Sequence, residues 1–313
     1  MAIASAAGKV ILLGEHAVVY GRPAIAVPVS GVRATAEVTP LLPGSGVLIV
    51  AEDINEVRRL DDPGDSEAML ALQATVRNTL QHFEVYIADQ ALRIVVHSRI
   101  PIARGMGSGT AVATAMVRAL AEHYGRHLTS RAISDLVFQT EVILHGTPSG
   151  IDNTVVAFGK AVYFVKGRQA DIFWVARPFS LLIADTGVQS STRAAVEDVR
   201  RRWLADKASC EALFDEIGSL VVDGRQAIAS GDVARLGRLM NRNQALLSEL
   251  GVSSPELDRL ALAALGAGAQ GAKLSGGGRG GCLIALVDEG SQGVVESALR
   301  AAGACAIVAT IVQ

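Results

Sequence analysis

The first hundred residues contain a series of short apolar segments with no long helical pattern completed between them. Apolar or alternating runs predict strands at residues 10–13, 24–29, 32–38, 47–50 and 92–96. A doubly wound parallel sheet needs a helix after nearly every strand, so this order of segments excludes that fold. The N-terminal part is therefore expected to be of the α+β class.

Helical periodicity begins where this cluster of strands ends. Apolar stripes predict a helix over 111–124, with Gly125 as its stop signal, and a second helix over 130–145 that is closed by Gly146. Short strands are predicted to follow at 161–165 and 173–175.

After Pro178 the pattern changes to that of a separate α+β unit. It predicts a strand at 180–184, several helices between 191 and 265, strands at 272–275 and 282–287, a helix at 291–301 and a strand at 304–311. We therefore predict two domains, residues 1–177 and 178–313. A cleft between two domains commonly holds a ligand.

The charge and the hydropathy pattern exclude several functional classes. The 313 residues include 29 basic and 31 acidic side chains, which gives a net charge of −2, and no basic cluster suggests a nucleic-acid or membrane-surface partner. No run reaches the roughly 18 apolar residues that a membrane-spanning helix needs. Lys9 interrupts the apolar start, which argues against a signal peptide, so we expect a cytoplasmic protein. The sequence is also compatible with a homodimer.

The three cysteines, Cys210, Cys282 and Cys305, lack the spacing of a disulfide framework or a zinc site. We expect them to be buried free thiols.

The first unusual segment is K-V-I-L-L-G-E-H at 9–16, in which a predicted strand ends at Gly14 and an acid and a histidine follow. Charged groups at a strand end often face a functional site, which makes Lys9, Glu15 and His16 candidates. The alternative is that Lys9 caps a strand edge and that Glu15 pairs with Arg22.

The second segment, residues 101–111, passes from a strand through Gly105, Gly107 and Gly109 into a predicted helix. Uncovered backbone N–H groups at a helix N-terminus, together with the helix dipole, can bind phosphate. The segment is neither a Walker A loop nor a Rossmann fingerprint. The alternative is an ordinary turn in which Ser108 is the helix N-cap.

The third segment has five glycines among residues 275–281, between two predicted strands. Glycine permits close backbone approach to a ligand or to a second loop, so the second and third segments together are compatible with a clamp on a polyphosphate. The alternative is a slack loop without a function.

Two candidate functional acids, Glu141 and Asp152, lie between these glycine-rich segments. Glu141 is near the end of a predicted helix and Asp152 follows a Pro/Gly turn. An acid near an apolar helix stripe, as Glu141 is, needs a cation, and nucleotide-bound Mg²⁺ is a natural candidate because it takes oxygen ligands, usually only one or two of them from protein. The alternatives are a solvated edge residue for Glu141, and an Asx-turn or an N-cap for Asp152.

The three glycine-rich segments, in this order and with these acids between them, resemble the GHMP kinases. The runs at 9–21 and 145–153 are most similar to the members that phosphorylate mevalonate. The resemblance implies a two-domain fold, with an N-terminal domain like the second domain of ribosomal protein S5 and a C-terminal ferredoxin-like domain. It also implies transfer of the γ-phosphoryl group of ATP, with Mg²⁺, to the 5-hydroxyl of mevalonate.

The resemblance also implies residue roles. Asp152 matches the catalytic base and Lys9 the basic residue beside it. Glu141, with Ser108, matches the magnesium ligands. The substrate-binding residues correspond to Glu15, His16 and Thr192. The loop around the ATP phosphates corresponds to Arg104, Gly105, Met106, Gly107, Ser108, Gly109 and Thr110.

The chain departs from the family pattern at two positions. Gly109 replaces a serine that commonly binds magnesium, so the hydroxyl must come from Ser108 or Thr110, and we favour Ser108. Arg279 stands at a position that is usually glycine, where it meets a phosphate, a carboxylate or solvent. Phosphomevalonate kinase, homoserine kinase or a non-catalytic ATP or metabolite sensor are the alternative functions; Lys9, Glu141 and Asp152 together argue against the sensor.

Overall fold

The structure is a computed structural model that describes residues 1–63, 66–101, 104–145, 148–189 and 191–313. Its backbone contacts divide the chain into two units. The first comprises Met1–Gly8, Val32–Pro101 and Gly107–Gly159. The second comprises Lys9–Gly31, residues 104–106 and Lys160–Gln313. Each unit combines several separate stretches of the chain, whereas the predicted domains 1–177 and 178–313 are two continuous ranges. The predicted domains stay a prediction.

Two long strands, β1 (Ala2–Leu13) and β2 (Ala24–Pro40), contribute residues to both units. Three more strands belong to the first unit: β3 (Val47–Ala51), β4 (Glu56–Arg59) and β5 (Leu92–Ser98). β5 pairs antiparallel with the second half of β2 and parallel with β3, which pairs antiparallel with β4. The strands predicted separately at 24–29 and 32–38 therefore form one continuous strand.

Four helices of the first unit pack on one another, and two of them also contact its sheet. They are α1 (Glu67–His82), α2 (Ser108–His123), α3 (Ser130–His145) and α4 (Ile151–Phe158). α2 and α3 confirm the predicted helices. The predicted stop at Gly146 lies outside the described residues.

The sequence pattern missed α1, because several of the residues that α1 buries are polar. Thr75 donates to the carbonyl of Ala71 at 2.8 Å, and its hydroxyl lies 2.8 Å from that of Thr140 on α3. Thr79 donates to the carbonyl of Thr75 at 2.6 Å. These hydrogen bonds make the buried hydroxyls tolerable, but they interrupt the apolar stripe on which the prediction of a helix depends.

In the second unit, β6 (Val162–Phe164) pairs antiparallel with the first part of β2 and with β7 (Asp171–Ile172). The strand predicted at 173–175 is wrong, since β7 ends at Ile172 and the next three residues are irregular.

The remaining strands of the second unit are β8 (Phe179–Asp185), β9 (Gly271–Ser275), β10 (Cys282–Val287) and β11 (Ala306–Val312). They form an antiparallel sheet in the order β11-β8-β10-β9, which is the ferredoxin-like order that the resemblance implies. The helices of this unit are α5 (Thr192–Ala205), α6 (Lys207–Ser230), α7 (Val233–Glu249), α8 (Pro255–Gly266) and α9 (Gln292–Ala301). Apolar side chains from the sheet and the helices form one buried cluster.

The cysteines are unpaired, and Cys210 and Cys282 are buried as expected. Burial raises the pKa of the Cys282 thiol to about 12. The prediction is wrong for Cys305, which is exposed because it precedes the edge strand β11. Within the described ranges, no helix has both the length and the apolar character needed to span a bilayer.

Candidate active site

The first sequence segment forms the end of β1 and a tight turn in the second unit. Gly14 has φ 102°, and a Cβ there would lie 2.6 Å from the Cα of Ala24, so the close passage of the two backbone segments requires glycine. His16 also has a positive φ of 60° and precedes a 3-10 turn at Ala17–Tyr20. The turn thus places Glu15 and His16 directly after a buried strand.

Glu15 forms a buried ion pair with Lys273 of β9. The two side chains are 1% and 0% exposed, and Lys273 Nζ also donates to the carbonyl of Leu274 at 2.5 Å. The other carboxylate oxygen, Glu15 Oε2, has no hydrogen-bond partner among the described residues. Burial raises the pKa of Glu15, an effect that the Lys273 charge opposes, and burial lowers the pKa of Lys273.

The alternative pairing of Glu15 with Arg22 is therefore wrong. Arg22 instead bonds to two acids of α6, Glu211 and Asp215, the second at 2.7 Å. No local sequence signal linked Glu15 to Lys273, because the two positions are 258 residues apart.

The imidazole of His16 is buried and neutral. Its Nε2 lies 3.0 Å from the carbonyl oxygen of Gly277. A carbonyl oxygen only accepts hydrogen bonds, so Nε2 carries the proton and Nδ1 is the acceptor nitrogen of the ring. Burial lowers the pKa of His16 to about 4, which keeps the ring uncharged at pH 7.

Lys9 is a buried residue well inside β1, since that strand begins at Ala2. The alternative that Lys9 caps a strand edge is therefore wrong. Its backbone N–H donates to the carbonyl of Met106 at 2.9 Å, which ties β1 to the second glycine-rich segment. Its ammonium is close enough to Glu15 to oppose the rise in the pKa of that carboxyl.

The second and third glycine-rich segments contact each other within the second unit. A Cβ on Gly105 would lie 3.3 Å from the carbonyl oxygen of Ser275, and one on Gly276 would lie 3.4 Å from the Cα of Gly105. Gly281 approaches the carbonyl oxygen of Arg104 in the same way, at 3.3 Å. Glycine in the third segment was expected to allow close approach either to a ligand or to a second loop. The described contacts show the approach to a second loop.

Arg104 joins this pair of loops to the end of β8. Its Nε lies 3.0 Å from Asp185 Oδ2, and Nη2 donates to the carbonyl of Gly187 at 3.2 Å. Nη1 is buried without a hydrogen-bond partner among the described residues. The role of Arg104 in binding ATP stays a prediction. The sequence analysis missed Asp185 as the partner of Arg104, although an acid at the end of a buried strand resembles the signal given by Glu15.

Arg279 holds the third segment to two neighbouring elements. It has φ 59°, its backbone N–H donates to the carbonyl of Val252 at 2.8 Å, and its guanidinium pairs with Asp198 of α5. Among the open alternatives, Arg279 therefore meets a carboxylate. Thr192 is the first residue of α5, and its Cα would lie 2.9 Å from a Cβ on Gly277. That glycine also accepts the hydrogen bond from His16, so the predicted substrate-binding residues His16 and Thr192 adjoin the same loop residue.

In the first unit, α2 begins at Ser108 and its N-cap is Gly107, with φ 71°. The alternative of Ser108 as N-cap is therefore wrong. The hydroxyl of Ser108 lies 3.4 Å from that of Ser98, at the end of β5. The first N–H groups of a helix have no intrahelical acceptor, so the backbone of Ser108, Gly109 and Thr110 offers donors to an anion.

Glu141 is buried on α3 and receives a hydrogen bond from α2. Thr110 Oγ1 donates to Glu141 Oε1 at 2.6 Å, and each residue is 2% exposed. The alternative of a solvated Glu141 is wrong, because this hydrogen bond holds the carboxylate in the interior, at the positive end of α2.

Asp152 is the second residue of α4 and is half-buried. Gly150 is the N-cap, so the alternative of Asp152 as N-cap is wrong. The next residue, Asn153, donates to the carbonyl and the hydroxyl of Ser134 on α3, at 3.1 and 2.9 Å. Asn153 thereby fixes the start of α4, a positioning contact that the sequence analysis missed.

The oxygen-bearing side chains around the start of α2 suit a nucleotide-bound Mg²⁺ better than a metal ion that is held by protein ligands alone. Glu141, Thr110 and Ser108 offer a carboxylate and hydroxyls, the oxygen ligands that Mg²⁺ takes. Across the described ranges, no group of three or more His, Cys, Asp or Glu side chains could hold a metal ion. One or two protein oxygens beside phosphate oxygens is the usual arrangement for nucleotide-bound Mg²⁺, and the residues present fit it.

Comparisons with known proteins show the family to which the chain belongs. Residues 71–160 match the GHMP kinases N terminal domain and residues 225–305 match the GHMP kinases C terminal domain. Curated relatives include mevalonate kinase of Pyrococcus furiosus, 34% identical over 99% of this chain and 96% of the relative. Mevalonate kinase of Aeropyrum pernix is also 34% identical, over 95% of this chain and 94% of the relative.

Among solved structures, Leishmania major mevalonate kinase in complex with R-mevalonate has a TM-score of 0.84 and 29% identity, and the comparison covers 100% of this chain and 96% of that one. The Methanococcus jannaschii enzyme, at a TM-score of 0.86 and 24% identity over 99% and 98% of the two chains, shows the shared fold. The two-domain α+β kinase fold is thus confirmed, and the chain belongs to the GHMP kinases and, within them, to the mevalonate kinase family.

Proposed function

We propose that the chain transfers the γ-phosphoryl group of ATP to the 5-hydroxyl of mevalonate. The observation that carries this proposal is the burial of Glu15 and His16 in the turn after β1, at the segment most similar to mevalonate-phosphorylating enzymes. A turn that only connected two strands would place such polar side chains in solvent. We also propose a domain boundary near residue 177, which lies between the two matched family regions. A cytoplasmic location is part of the same proposal.

The substrate end of the site offers hydrogen-bond acceptors. Glu15 Oε2 is a buried oxygen whose missing hydrogen bond is costly, and a substrate hydroxyl would satisfy it. The acceptor nitrogen of His16 suits a second hydroxyl, since the neutral ring donates through Nε2 to the protein. Thr192, beside the same loop, supplies a further hydroxyl.

The ATP phosphates are assigned to the loop and helix start at Arg104–Thr110. The donors there are backbone N–H groups, whose positions do not depend on side-chain rotamers, and the dipole of α2 adds a favourable field. Glu141 with Ser108 would hold the Mg²⁺ of the nucleotide. When bound, this ion neutralises charge on the phosphate oxygens and helps to orient the reacting group.

Asp152 and Lys9 are assigned to the chemical step. The oxygen of the substrate hydroxyl forms a bond to the γ-phosphorus while the bond from that phosphorus to the bridging oxygen of ADP breaks. Asp152 accepts the proton that the hydroxyl loses, and Lys9 stabilises the negative charge on the transferred group. Positioning and charge stabilisation supply most of the rate in such a transfer.

A coupled assay of ADP release tests the proposal with mevalonate, phosphomevalonate, homoserine and galactose as acceptors. Mevalonate should give the highest kcat/KM. A higher value for phosphomevalonate or homoserine would assign the chain to that sister activity, and ATP binding without turnover of any acceptor would indicate a sensor.

Two variants test the residue roles in the same assay. Asp152→Asn should lower kcat by orders of magnitude with little change in ATP affinity, and Lys9→Met should lower kcat more than it raises KM. Near-native kcat in Asp152→Asn would remove Asp152 from the role of base. A Lys9→Met variant with raised KM and unchanged kcat would make Lys9 a binding residue.

A further inference from the structure

The hydroxyl-bearing residues at the start of α2, the predicted phosphate site, occupy different positions from those in the family motif. The mevalonate-kinase resemblance places a serine at position 109, but this chain has Gly109 there and a threonine at the next position. Gly109 is exposed, whereas Thr110 is buried. The hydroxyl has therefore moved one residue along the helix, to a side chain that points into the protein.

The two candidate hydroxyls have different partners. Ser108 is half-buried and its Oγ lies 3.4 Å from the hydroxyl of Ser98, a long contact between two neutral groups. Thr110 Oγ1 donates to the carboxylate of Glu141 at 2.6 Å, with both residues 2% exposed. A short hydrogen bond to a carboxylate away from water is about twice as strong as one between neutral groups.

The helix that carries Glu141 is held on both sides of this contact. Thr140, the residue before Glu141, has its hydroxyl 2.8 Å from that of Thr75 on α1, and Thr140 is 1% exposed. The Thr75 and Thr110 contacts therefore fix neighbouring residues of α3 from α1 and from α2. Little freedom is left for the carboxylate to swing away from the first turn of α2.

We propose that Thr110 is the positioning residue of Glu141 and that its hydroxyl, by fixing this carboxylate, compensates for the magnesium-binding serine absent at position 109. The inference rests on the proposed function, in which Glu141 holds the Mg²⁺ of the nucleotide. Thr110 orients the carboxylate at the N-terminal end of α2, where the phosphates are assigned. Partners that orient a metal-binding carboxylate in this way typically change metal affinity by about 10- to 100-fold when they are removed.

The test measures Mg²⁺-dependent nucleotide binding rather than turnover. ADP binding to purified variants is titrated by calorimetry at a series of Mg²⁺ concentrations, and the Mg²⁺ concentration at half-maximal affinity is compared. Thr110→Val, which removes the hydroxyl and keeps the shape, should raise that concentration about tenfold. Thr110→Ser should stay near the wild type. Metal-free ADP affinity should change less than this midpoint in Thr110→Val, because the phosphate donors assigned there are backbone N–H groups.

A matched control and a rescue separate positioning from a general structural effect. Thr114 lies one turn further along α2, and its buried Oγ1 has no hydrogen-bond partner among the described residues. Thr114→Val should therefore leave the Mg²⁺ midpoint unchanged. Thr110→Ala should shift the midpoint, and the double variant Gly109→Ser/Thr110→Ala, which restores the order of the family motif, should return it towards the wild-type value.

A midpoint that moves in Ser108→Ala but not in Thr110→Val or Thr110→Ala would overturn the inference and assign the role to Ser108. No shift in any of these variants would overturn it as well, because the nucleotide would then hold the metal without Thr110. A Thr110→Ser variant whose midpoint shifts as far as that of Thr110→Val would also overturn the inference, because the hydroxyl itself would then not be what matters. The titration contains no acceptor substrate, so its result does not depend on which molecule is phosphorylated. A wild type that binds Mg²⁺-ADP but does not phosphorylate mevalonate would therefore refute the proposed function and not this inference.

Discussion

His16 makes the stability of the fold depend on pH. The ring is 5% exposed, and burial lowers its pKa from 6.5 to about 4. A group whose pKa is lower in the folded state binds fewer protons there than in the unfolded chain. Between pH 6.5 and about 4 the unfolded chain takes up a proton at His16 that the folded chain does not. The free energy of unfolding therefore falls as the pH falls through this window and levels off below it.

The magnitude follows from the gap between the two pKa values, which corresponds to about 3 kcal/mol. Because the transition is spread over the window, about 2 kcal/mol of this is lost between pH 7 and pH 4.5. The side chain is almost completely buried, so screening by solvent takes little away from this figure.

The assay compares urea unfolding of the wild type and of His16→Asn at pH 7 and pH 4.5. Asparagine is chosen because it tolerates the positive φ of 60° at this position and does not titrate in this range. The wild type should lose about 2 kcal/mol more than the variant on acidification. All carboxyl groups and the other histidines are shared by the two proteins, so their contributions cancel.

His82→Asn is the matched control, since His82 is exposed at the end of α1 and the chemical change is the same. It should lose as much stability as the wild type on acidification. Equal losses in the wild type and His16→Asn would refute the buried neutral histidine. A larger loss in His16→Asn would reverse the sign of the linkage.

Three further substitutions test the contacts around the glycine-rich loops, each by denaturant unfolding at pH 7. Lys273→Met should cost about 3–5 kcal/mol because it leaves the carboxylate of Glu15 buried without its partner, and adding Glu15→Gln should recover much of the loss. Arg279→Gly should change stability by less than about 1 kcal/mol, since relief of the positive φ offsets the loss of a partly exposed ion pair. Gly278→Ala should cost at least about 2 kcal/mol more than Gly167→Ala, because both have a positive φ but only the Cβ at 278 would meet an atom, 2.0 Å away.

Much of the secondary structure could be predicted because it depends on local patterns. The helices over 111–124 and 130–145 and the individual strands after Pro178 follow from periodicity, and the structure confirms them. α1 could not be predicted in this way, since Thr75 and Thr79 bury hydroxyls that only their hydrogen bonds make tolerable. A sequence pattern registers the polarity of such a side chain but not its partner.

The candidate site shows the same limit at longer range. Glu15 and His16 were predicted as site residues from the abrupt end of an apolar strand. Their partners lie 258 and 261 positions away: Lys273 is on β9, directly before the third glycine-rich segment, and Gly277 is within that segment. Nothing local to either segment specifies that pairing, because it depends on β1 and β9 lying near each other in the fold. The backbone N–H of Ile11 on β1 donates to the hydroxyl of Ser275 on β9 at 3.0 Å, which shows that proximity directly.

The glycines of the third segment show why such a loop is an ambiguous sign of ligand binding. A Cβ at Gly277, Gly278 or Gly280 would lie between 2.0 and 2.9 Å from atoms of the chain's own backbone, so the packing of the protein already requires glycine at these positions. At Gly276 and Gly281 the nearest atoms would be 3.4 and 3.3 Å away, and the positive φ values of 89° and 73° are the stronger reason for glycine. Packing and backbone conformation therefore explain all five glycines without a bound ligand. Phosphate binding is inferred instead from the N–H groups at the start of α2, which have no intrahelical acceptor and lie beside the exposed Gly109.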